Sequence, residues 1–251
     1  MQKIIFTLFI VSTLLISTGF TQENSCTKGH CLKGDVGYVS FAIGPSIPMN
    51  NFADKDLTNV NAGFANTGSK MELNAGFNIV KSVDLGVKLF YSVNSYNFNS
   101  ITNKLSSDFP GTVWNTSGRS WDIVGGMVGL SYSYPLVNKF VGDFKFLSGI
   151  MKTSTPTMVI TGSNGSKYTE NEKSASSFVY SISAGGHYPL GRLVDFVGSL
   201  EFISSTPSFD NVNKISNFPT STTGSITSSS TSSLKQNISL LALNLGFRVK
   251  F

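Results

Sequence analysis

The chain of 251 residues contains few charged residues, few cysteines and few histidines. Charged residues make up only 13% of it, about half the share of an ordinary soluble domain. The two cysteines and two histidines do not have the spacing of a zinc-type cluster. No glycine-rich phosphate loop or nucleic-acid module is recognisable. These absences argue against a metalloenzyme, a nucleotide-binding enzyme and a nucleic-acid-binding protein, and we expect neither cofactor nor metal.

Long apolar runs are also scarce, and a spanning helix needs about 20 apolar residues. The longest run, 4–16, follows the basic start 1–3 and precedes small residues over 17–21. This pattern predicts a secretory signal peptide over 1–21, cleaved before Gln22. Any membrane residence of the remaining chain would then have to come from strands.

Both cysteines, Cys26 and Cys31, lie close together in the segment 22–35. In an oxidising compartment such a pair predicts a small disulfide loop. His30 lies between them, but one histidine and two cysteines do not make a closed structural metal site. We therefore predict a periplasmic tail over 22–35 with a Cys26–Cys31 disulfide, followed by a barrel domain over 36–251.

The end of the chain alternates between apolar residues and small or polar ones. The odd positions of 241–251 are all apolar, and the even positions from 244 onward are small or polar. Such a segment is a strand with one oily and one wet face. It also ends on an aromatic residue, and the pattern resembles the terminal signal by which outer-membrane β-barrels of Gram-negative bacteria are recognised for insertion. The positions that carry this assembly signal are Asn244, Gly246, Val249 and Phe251.

Alternating runs recur along the rest of the chain, and the motif Tyr-Pro-Leu leads into one of them twice, at 134–136 and 188–190. A third short turn lies at 80–84. Repetition at the scale of a hairpin is typical of a closed meander. The predicted strands are 36–48, 69–80, 84–97, 120–134, 140–152, 177–188, 194–206 and 237–251.

Three short turns alternate with four long polar stretches, which cover roughly 49–68, 99–119, 153–176 and 207–236. This predicts an all-β protein, a transmembrane antiparallel up-and-down barrel of eight strands with short periplasmic turns and long extracellular loops. The low-complexity segment 225–233 lies in the last of these stretches and is expected to be mobile. A long loop that extends the sheet beyond the membrane, or a further hairpin that makes ten strands, is the alternative.

Aromatic residues cluster beside the short turns, as in the girdle that such barrels place at the membrane interface. Alternation by itself does not say which face of the strands is inward. The terminal pattern, the signal peptide and the unequal loops favour an oily exterior over the oily interior of a lipocalin-type barrel. The predicted girdle residues are Phe77, Tyr134, Phe140, Tyr188 and Phe196.

The opposite strand faces carry charges of both signs. The interior of an eight-stranded barrel is just wide enough for side chains to fill it, and buried charges need partners. We therefore expect a network of ion pairs that plugs the lumen, and a charge-lined pore is the alternative. The predicted members are Glu72, Lys88, Asp143, Lys145, Glu201 and Arg248.

With these features together, the chain resembles the small OmpA/OmpX-type outer-membrane β-barrel proteins. The resemblance covers nearly all of the mature chain in architecture, and its one specific motif is the C-terminal one. It implies location in the outer membrane of a Gram-negative bacterium, contact with outer-membrane lipid and lipopolysaccharide, and delivery by periplasmic chaperones and the barrel assembly machinery. No peptidoglycan-binding domain is expected after the last strand.

The fold does not select among the roles that this resemblance implies. The first hypothesis is a non-enzymatic envelope protein that binds a surface or host ligand, adhesin-like, through its loops. A narrow pore, or a carrier for small solutes or hydrophobic ligands, is the alternative. We predict no enzyme. Barrel deacylases have a serine two positions after a histidine, whereas Pro189 follows His187 at that spacing, and no nucleophile, base and acid occur together. Possible contact aromatics in or near the loops are Phe109, Trp114, Trp121 and Phe218.

Overall fold

The computed structural model describes residues 36–80, 82–137, 139–219 and 225–251. The predicted signal peptide over 1–21 and the tail over 22–35, including Cys26 and Cys31, lie outside the described residues. The strands of the described part are β1 (Gly37–Pro48), β2 (Gly68–Val80), β3 (Val83–Asn94), β4 (Trp114–Gly118), β5 (Trp121–Pro135), β6 (Val141–Ser154), β7 (Met158–Gly162), β8 (Lys167–Glu170), β9 (Ser174–Pro189), β10 (Val194–Ser205), β11 (Ser208–Pro219), β12 (Ser225–Lys235) and β13 (Ile238–Lys250).

Eight of these strands form one closed barrel in the order β1, β13, β10, β9, β6, β5, β3, β2, and all pairs in it are antiparallel. The first and last strands close it, with Ser40 opposite Arg248. The predicted all-β antiparallel barrel of eight strands is therefore confirmed, and the alternative of ten barrel strands is wrong. The predicted bounds of the eight strands agree with the observed ones to within about three residues.

The two ends of the barrel differ. At the short-turn end, two to five residues separate β2 from β3, β5 from β6, and β9 from β10. Residues 36 and 251, at the two ends of the described barrel, also lie there and are hydrogen-bonded to each other. At the long-loop end, the strands continue into longer segments. Because side chains alternate along a strand, one set points out of the barrel and the other into its lumen.

The outward set is apolar and exposed. Phe41, Ile150 and Leu243 on β1, β6 and β13 are 52%, 67% and 47% exposed. A continuous oily belt of this kind is unfavourable in water, and it is the surface that a transmembrane barrel presents to lipid. Separately, no helix among the described residues has the length and apolar character needed to cross a bilayer.

Beyond the long-loop end lies a second sheet, which we call the rim sheet, with the strand order β12, β11, β8, β7, β4. Parts of the long connections are therefore strands, and the serine-rich segment lies in β12. Alternation cannot reveal β12, because the described side chains between Ile226 and Ser233 are exposed or half-buried on both faces. The strand forms because β11 pairs with it in continuous register from Val212 to Pro219.

A short helix, α1 (Phe98–Asp108), precedes β4. It begins at Asn97, whose side chain accepts a hydrogen bond from the Ser100 backbone N–H at 3.2 Å, as an N-cap does. Ile101 is buried on its inner side, in a small apolar cluster with Phe64 and Ile160 of the neighbouring connections. The helix thus anchors the second long connection against the rim sheet.

The largest apolar core lies inside the long-loop half of the barrel. Ile123, Met151, Ile203 and Leu240 point into the lumen from β5, β6, β10 and β13, and each is at most 1% exposed. Phe52, in a 3-10 turn of the first long connection, joins this cluster and is fully buried. The mouth of the barrel is therefore filled with apolar side chains.

Candidate functional site

The middle of the lumen contains four fully or almost fully buried charges, two of each sign, which we call the charge ring. It consists of Lys70 and Glu72 of β2, Lys88 of β3 and Glu201 of β10. Lys70 Nζ contacts the Glu72 carboxylate and lies 2.6 Å from Glu201 Oε2. Lys88 Nζ lies 2.5 Å from Glu201 Oε1 and 3.2 Å from Glu72 Oε2. Each ammonium thus contacts both carboxylates, and the four charges sum to zero.

The charge ring crosses the lumen rather than following one wall. In the circular strand order, β3 and β10 are four places apart, which puts them on opposite sides of the eight-stranded barrel. Asn244 of β13 adds to the ring, since its amide nitrogen donates to Glu201 Oε2 at 3.3 Å. Charge-assisted bonds of this kind are about twice as strong as neutral ones. The ring therefore braces the barrel across its full width.

A second polar group lies nearer the short-turn end. Asp143 of β6 accepts from the Arg248 guanidinium at 3.1 Å and lies 2.8 Å from His187 Nδ1. Ser133 donates a hydrogen bond to the same carboxylate at 2.7 Å. The Arg248 guanidinium lies over the Tyr38 ring, 3.9 Å from its centroid, as in a cation–π contact. This group links β6 to β13, three places apart around the barrel.

The structure places all six predicted lumenal charges in the interior, but it divides them. Glu72, Lys88 and Glu201 meet in the charge ring, and Asp143 pairs with Arg248 in the second group. Lys145 forms no ion pair within the described residues, and its Nζ lies 5.8 Å from the centroid of the Tyr38 ring. Lys145 therefore lies near an aromatic face and makes no direct ion pair.

Sequence reasoning missed Lys70, which completes the neutrality of the charge ring, and Tyr38, which underlies Arg248. Lys70 could have been found, since it precedes Glu72 by two positions, and residues two positions apart on a strand point to the same face. Tyr38 depends on a distant glycine. A Cβ built on Gly76 would lie 2.3 Å from the Tyr38 ring, so only glycine leaves room for that ring in the lumen.

Very little free space remains beside these groups. A cavity of about 20 Å³ lies between the charge ring and the second group, bounded by Glu72, Asp143, Asn244 and Arg248 among others. That volume suffices for one or two water molecules. Further out, a Cβ on Gly125 would lie 2.4 Å from the Phe90 ring, so the space left by this strand glycine is already occupied.

The first long connection closes the mouth of the barrel. The Phe52 and Trp121 rings pack edge to face with centroids 5.4 Å apart, and Trp121 Nε1 donates to the Gly63 carbonyl at 2.9 Å. The Gln236 amide donates to the Asn61 carbonyl at 3.0 Å. Trp121, expected as a loop aromatic for surface contact, is instead 2% exposed, because it anchors this connection.

The remaining predicted residues lie as follows. Phe109 and Phe218 are exposed on the long-loop side, and Trp114 packs near Phe109 with ring centroids 6.0 Å apart. The predicted girdle residues all lie outside the barrel toward the short-turn end, 40–56% exposed: Phe77, Tyr134, Phe140, Tyr188 and Phe196.

Of the C-terminal pattern, Val249 and Phe251 point outward, and Asn244 points into the charge ring. A Cβ on Gly246 would lie 1.9 Å from the Phe41 carbonyl oxygen, so β1 and β13 approach closely there.

The fold and the filled lumen define a class, the small eight-stranded outer-membrane-type β-barrel. Three solved structures of similar fold are Neisserial surface protein A (13% identity, 86% of this chain and 97% of that chain covered, TM-score 0.41), a major outer membrane protein from Thermus thermophilus (13%, 86% and 99%, 0.46) and Ail, the attachment invasion locus protein of Yersinia pestis (12%, 86% and 99%, 0.42). At these identities the likeness concerns the fold alone. No family model and no curated protein sequence matches the chain.

Proposed function

We propose that this chain is a non-enzymatic outer-membrane protein of a Gram-negative bacterium, with a plugged lumen and an adhesin-like interaction surface formed by its rim sheet. The observation that carries the proposal is the charge ring, in which Lys88 and Glu201 join opposite walls at 2.5 Å. Separating a buried ion pair leaves an uncompensated charge and costs about 3–5 kcal/mol. A solute that passed through the lumen would have to break this ring and then displace the apolar cluster at the mouth.

The orientation follows from the usual arrangement of such barrels, in which short turns face the periplasm and long loops face outward. In this orientation, outer-membrane lipid and lipopolysaccharide would cover the oily belt. The rim sheet would then be the first surface that a partner meets. The C-terminal pattern would serve recognition by the assembly machinery after delivery by periplasmic chaperones.

The surroundings of His187 support the non-enzymatic part of the proposal. Its Nδ1 lies 2.8 Å from Asp143, and its other polar neighbour is the Arg248 guanidinium. A serine-type nucleophile would need a hydroxyl within hydrogen-bonding distance of the imidazole, and none of the described residues supplies one. Nor do three side chains of the metal-ligating kinds meet in the described part of the chain.

The surface role is tested by trimming the rim sheet. The outer part of the β11–β12 hairpin can be replaced by a short glycine-containing turn in place of residues 213–231, where Asn213 pairs with Thr231. This leaves Phe209, Val212 and Leu234 in place in and beside the apolar cluster of the mouth. Adhesion of cells to abiotic and host-cell surfaces is compared with that of cells carrying the full chain at equal surface level. We expect the trimmed protein to insert normally and adhesion to fall. Undiminished adhesion by the trimmed protein would refute the role of this hairpin.

A further inference from the structure

A cavity of about 140 Å³ lies between the barrel mouth and the rim sheet. Every long connection contributes to its walls, through Ala62, Tyr96, Met158 and Lys214 among others. This volume would hold about ten to twelve water molecules, or a ligand with about that number of non-hydrogen atoms. It is therefore much larger than the cavity of about 20 Å³ in the lumen.

Slightly more than half of the wall is apolar. Trp121, Met158 and Leu234 line it, and Tyr96 packs against both the apolar cluster of the mouth and the smaller cluster beside α1. Ligand sites in proteins are commonly of this kind, with hydrophobic and aromatic walls and a few polar groups that fix the orientation of the ligand.

Two opposite charges enter the same cavity from one cross-strand row of the rim sheet. Glu170 of β8 stands opposite Met158 of β7 on one side and opposite Lys214 of β11 on the other. Opposite charges that face each other across a strand pair usually attract. Within the described residues, however, Glu170 and Lys214 form no salt bridge, and the Lys214 side chain makes no hydrogen bond or ion pair, although its backbone lies in the ladders of β11 with β8 and β12.

The Glu170 carboxylate is oriented by its neighbours. Its Oε2 accepts a hydrogen bond from the Tyr168 hydroxyl at 2.8 Å. Burial raises the pKa of Tyr96 and of Tyr168, and the negative charge of Glu170 raises both pKa values further. Both phenols therefore remain neutral at physiological pH, and the charged side chains of the cavity wall are Glu170 and Lys214, which form no direct ion pair within the described residues.

We propose that this cavity binds a small zwitterion with an apolar body, such as a free α-amino acid with an aromatic or aliphatic side chain. Glu170 receives the ammonium group, Lys214 the carboxylate, and the body lies against Trp121, Met158 and Leu234. A simple cation would be repelled by Lys214 and a simple anion by Glu170. A neutral apolar molecule would displace water from two charges without replacing their hydrogen bonds, which is costly.

The test uses the full chain, folded in detergent micelles, and Trp121 fluorescence. The chain has two tryptophans, so Trp114→Phe leaves Trp121 as the reporter in the cavity wall. The probes are L-phenylalanine, phenethylamine without the carboxylate, 3-phenylpropanoate without the ammonium, and glycine without the apolar body. We expect saturable binding of L-phenylalanine, and binding at least about tenfold weaker for each of the other three, since each lacks one charge-assisted contact or the buried body.

Substitutions then assign the two charges. Glu170→Gln should abolish the preference of the cavity for L-phenylalanine over 3-phenylpropanoate, which lacks the ammonium group. Lys214→Met should abolish the preference for L-phenylalanine over phenethylamine, which lacks the carboxylate. Lys167→Met, an exposed lysine at the other end of β8, is the matched control and should change neither preference. The proposal is overturned if L-phenylalanine gives no saturable signal, or if phenethylamine or 3-phenylpropanoate binds the unsubstituted cavity as tightly. If a variant fails to fold, the four probes on the unsubstituted cavity decide the question alone. The result does not depend on whether the lumen is plugged.

Discussion

Lys88 and Glu201 approach to 2.5 Å from opposite walls of the barrel. The first lies on β3 and the second on β10, and 113 positions separate them in the chain. Around the barrel, β10 is connected to β3 through β13, β1 and β2 on one side and through β9, β6 and β5 on the other, so the contact spans the lumen of the closed sheet.

Removal of Glu201 should strongly destabilise the barrel. Glu201→Ala leaves Lys70 and Lys88 with a single carboxylate, Glu72, in a buried setting, and we expect a loss of about 3–5 kcal/mol in the free energy of unfolding. The measurement is the urea midpoint of the detergent-folded protein. Lys145→Ala is the matched control, because Lys145 points into the lumen without an ion pair, and it should cost less than about 1 kcal/mol. Equal losses for the two variants would contradict the role of the charge ring.

Asp143 and Arg248 should be energetically coupled. A double-mutant cycle of Asp143→Ala and Arg248→Ala should give an interaction energy of about 0.5–3 kcal/mol, as for residues in contact within one network. Both side chains are less than 10% exposed. The exposed pair Lys104–Asp108 on α1 provides the comparison and should give about 0.3–0.5 kcal/mol. A coupling for the lumenal pair no larger than this would show that the contact contributes little.

The first long connection should depend on Phe52. Phe52→Ala removes a fully buried ring from the mouth cluster, and such truncations cost about 3–5 kcal/mol. We expect segment 49–67 to detach first, which limited proteolysis of the folded protein would detect as new cleavage there. Phe109→Ala, which removes a ring that is 55% exposed, should leave the cleavage pattern unchanged. Protection of the segment in Phe52→Ala would mean that other contacts hold it.

The oily belt should tolerate charge poorly. Leu243 lies outward near the middle of β13, and an arginine at the bilayer midplane of a barrel costs about 2–4 kcal/mol. Leu243→Arg should therefore lower the unfolding free energy in lipid vesicles by about that amount. Ile226→Arg, at a similarly exposed position on β12 of the rim sheet, should change it by less than about 0.5 kcal/mol. Equal effects would mean that the membrane does not cover the belt where we place it.

The barrel was predictable because each of its strands carries one oily and one polar face, and the short turns interrupt that pattern sharply. The rim sheet was not predictable in the same way. Apart from Leu234, which packs against the apolar cluster at the barrel mouth, the described side chains of β12 are exposed or half-buried on both faces, so its serines and threonines show no apolar alternation. The helix α1 begins at one cap residue, Asn97. The alternation of side chains along each strand indicated that Glu72, Lys88 and Glu201 point inward. Which of these charges meet depends on the stagger between strands, and the alternation does not encode that stagger.

Single-channel conductance of the refolded protein in a planar lipid bilayer tests the central claim most directly. Folding is shown first by a shift in electrophoretic mobility on heating, and insertion by co-flotation of the protein with vesicles of the same lipid, so that a silent record refers to folded protein in the membrane. If the charge ring and the mouth cluster plug the lumen, the inserted protein gives no discrete openings at moderate voltage. Reproducible openings of constant size would contradict the plugged barrel and make transport of small solutes the leading function.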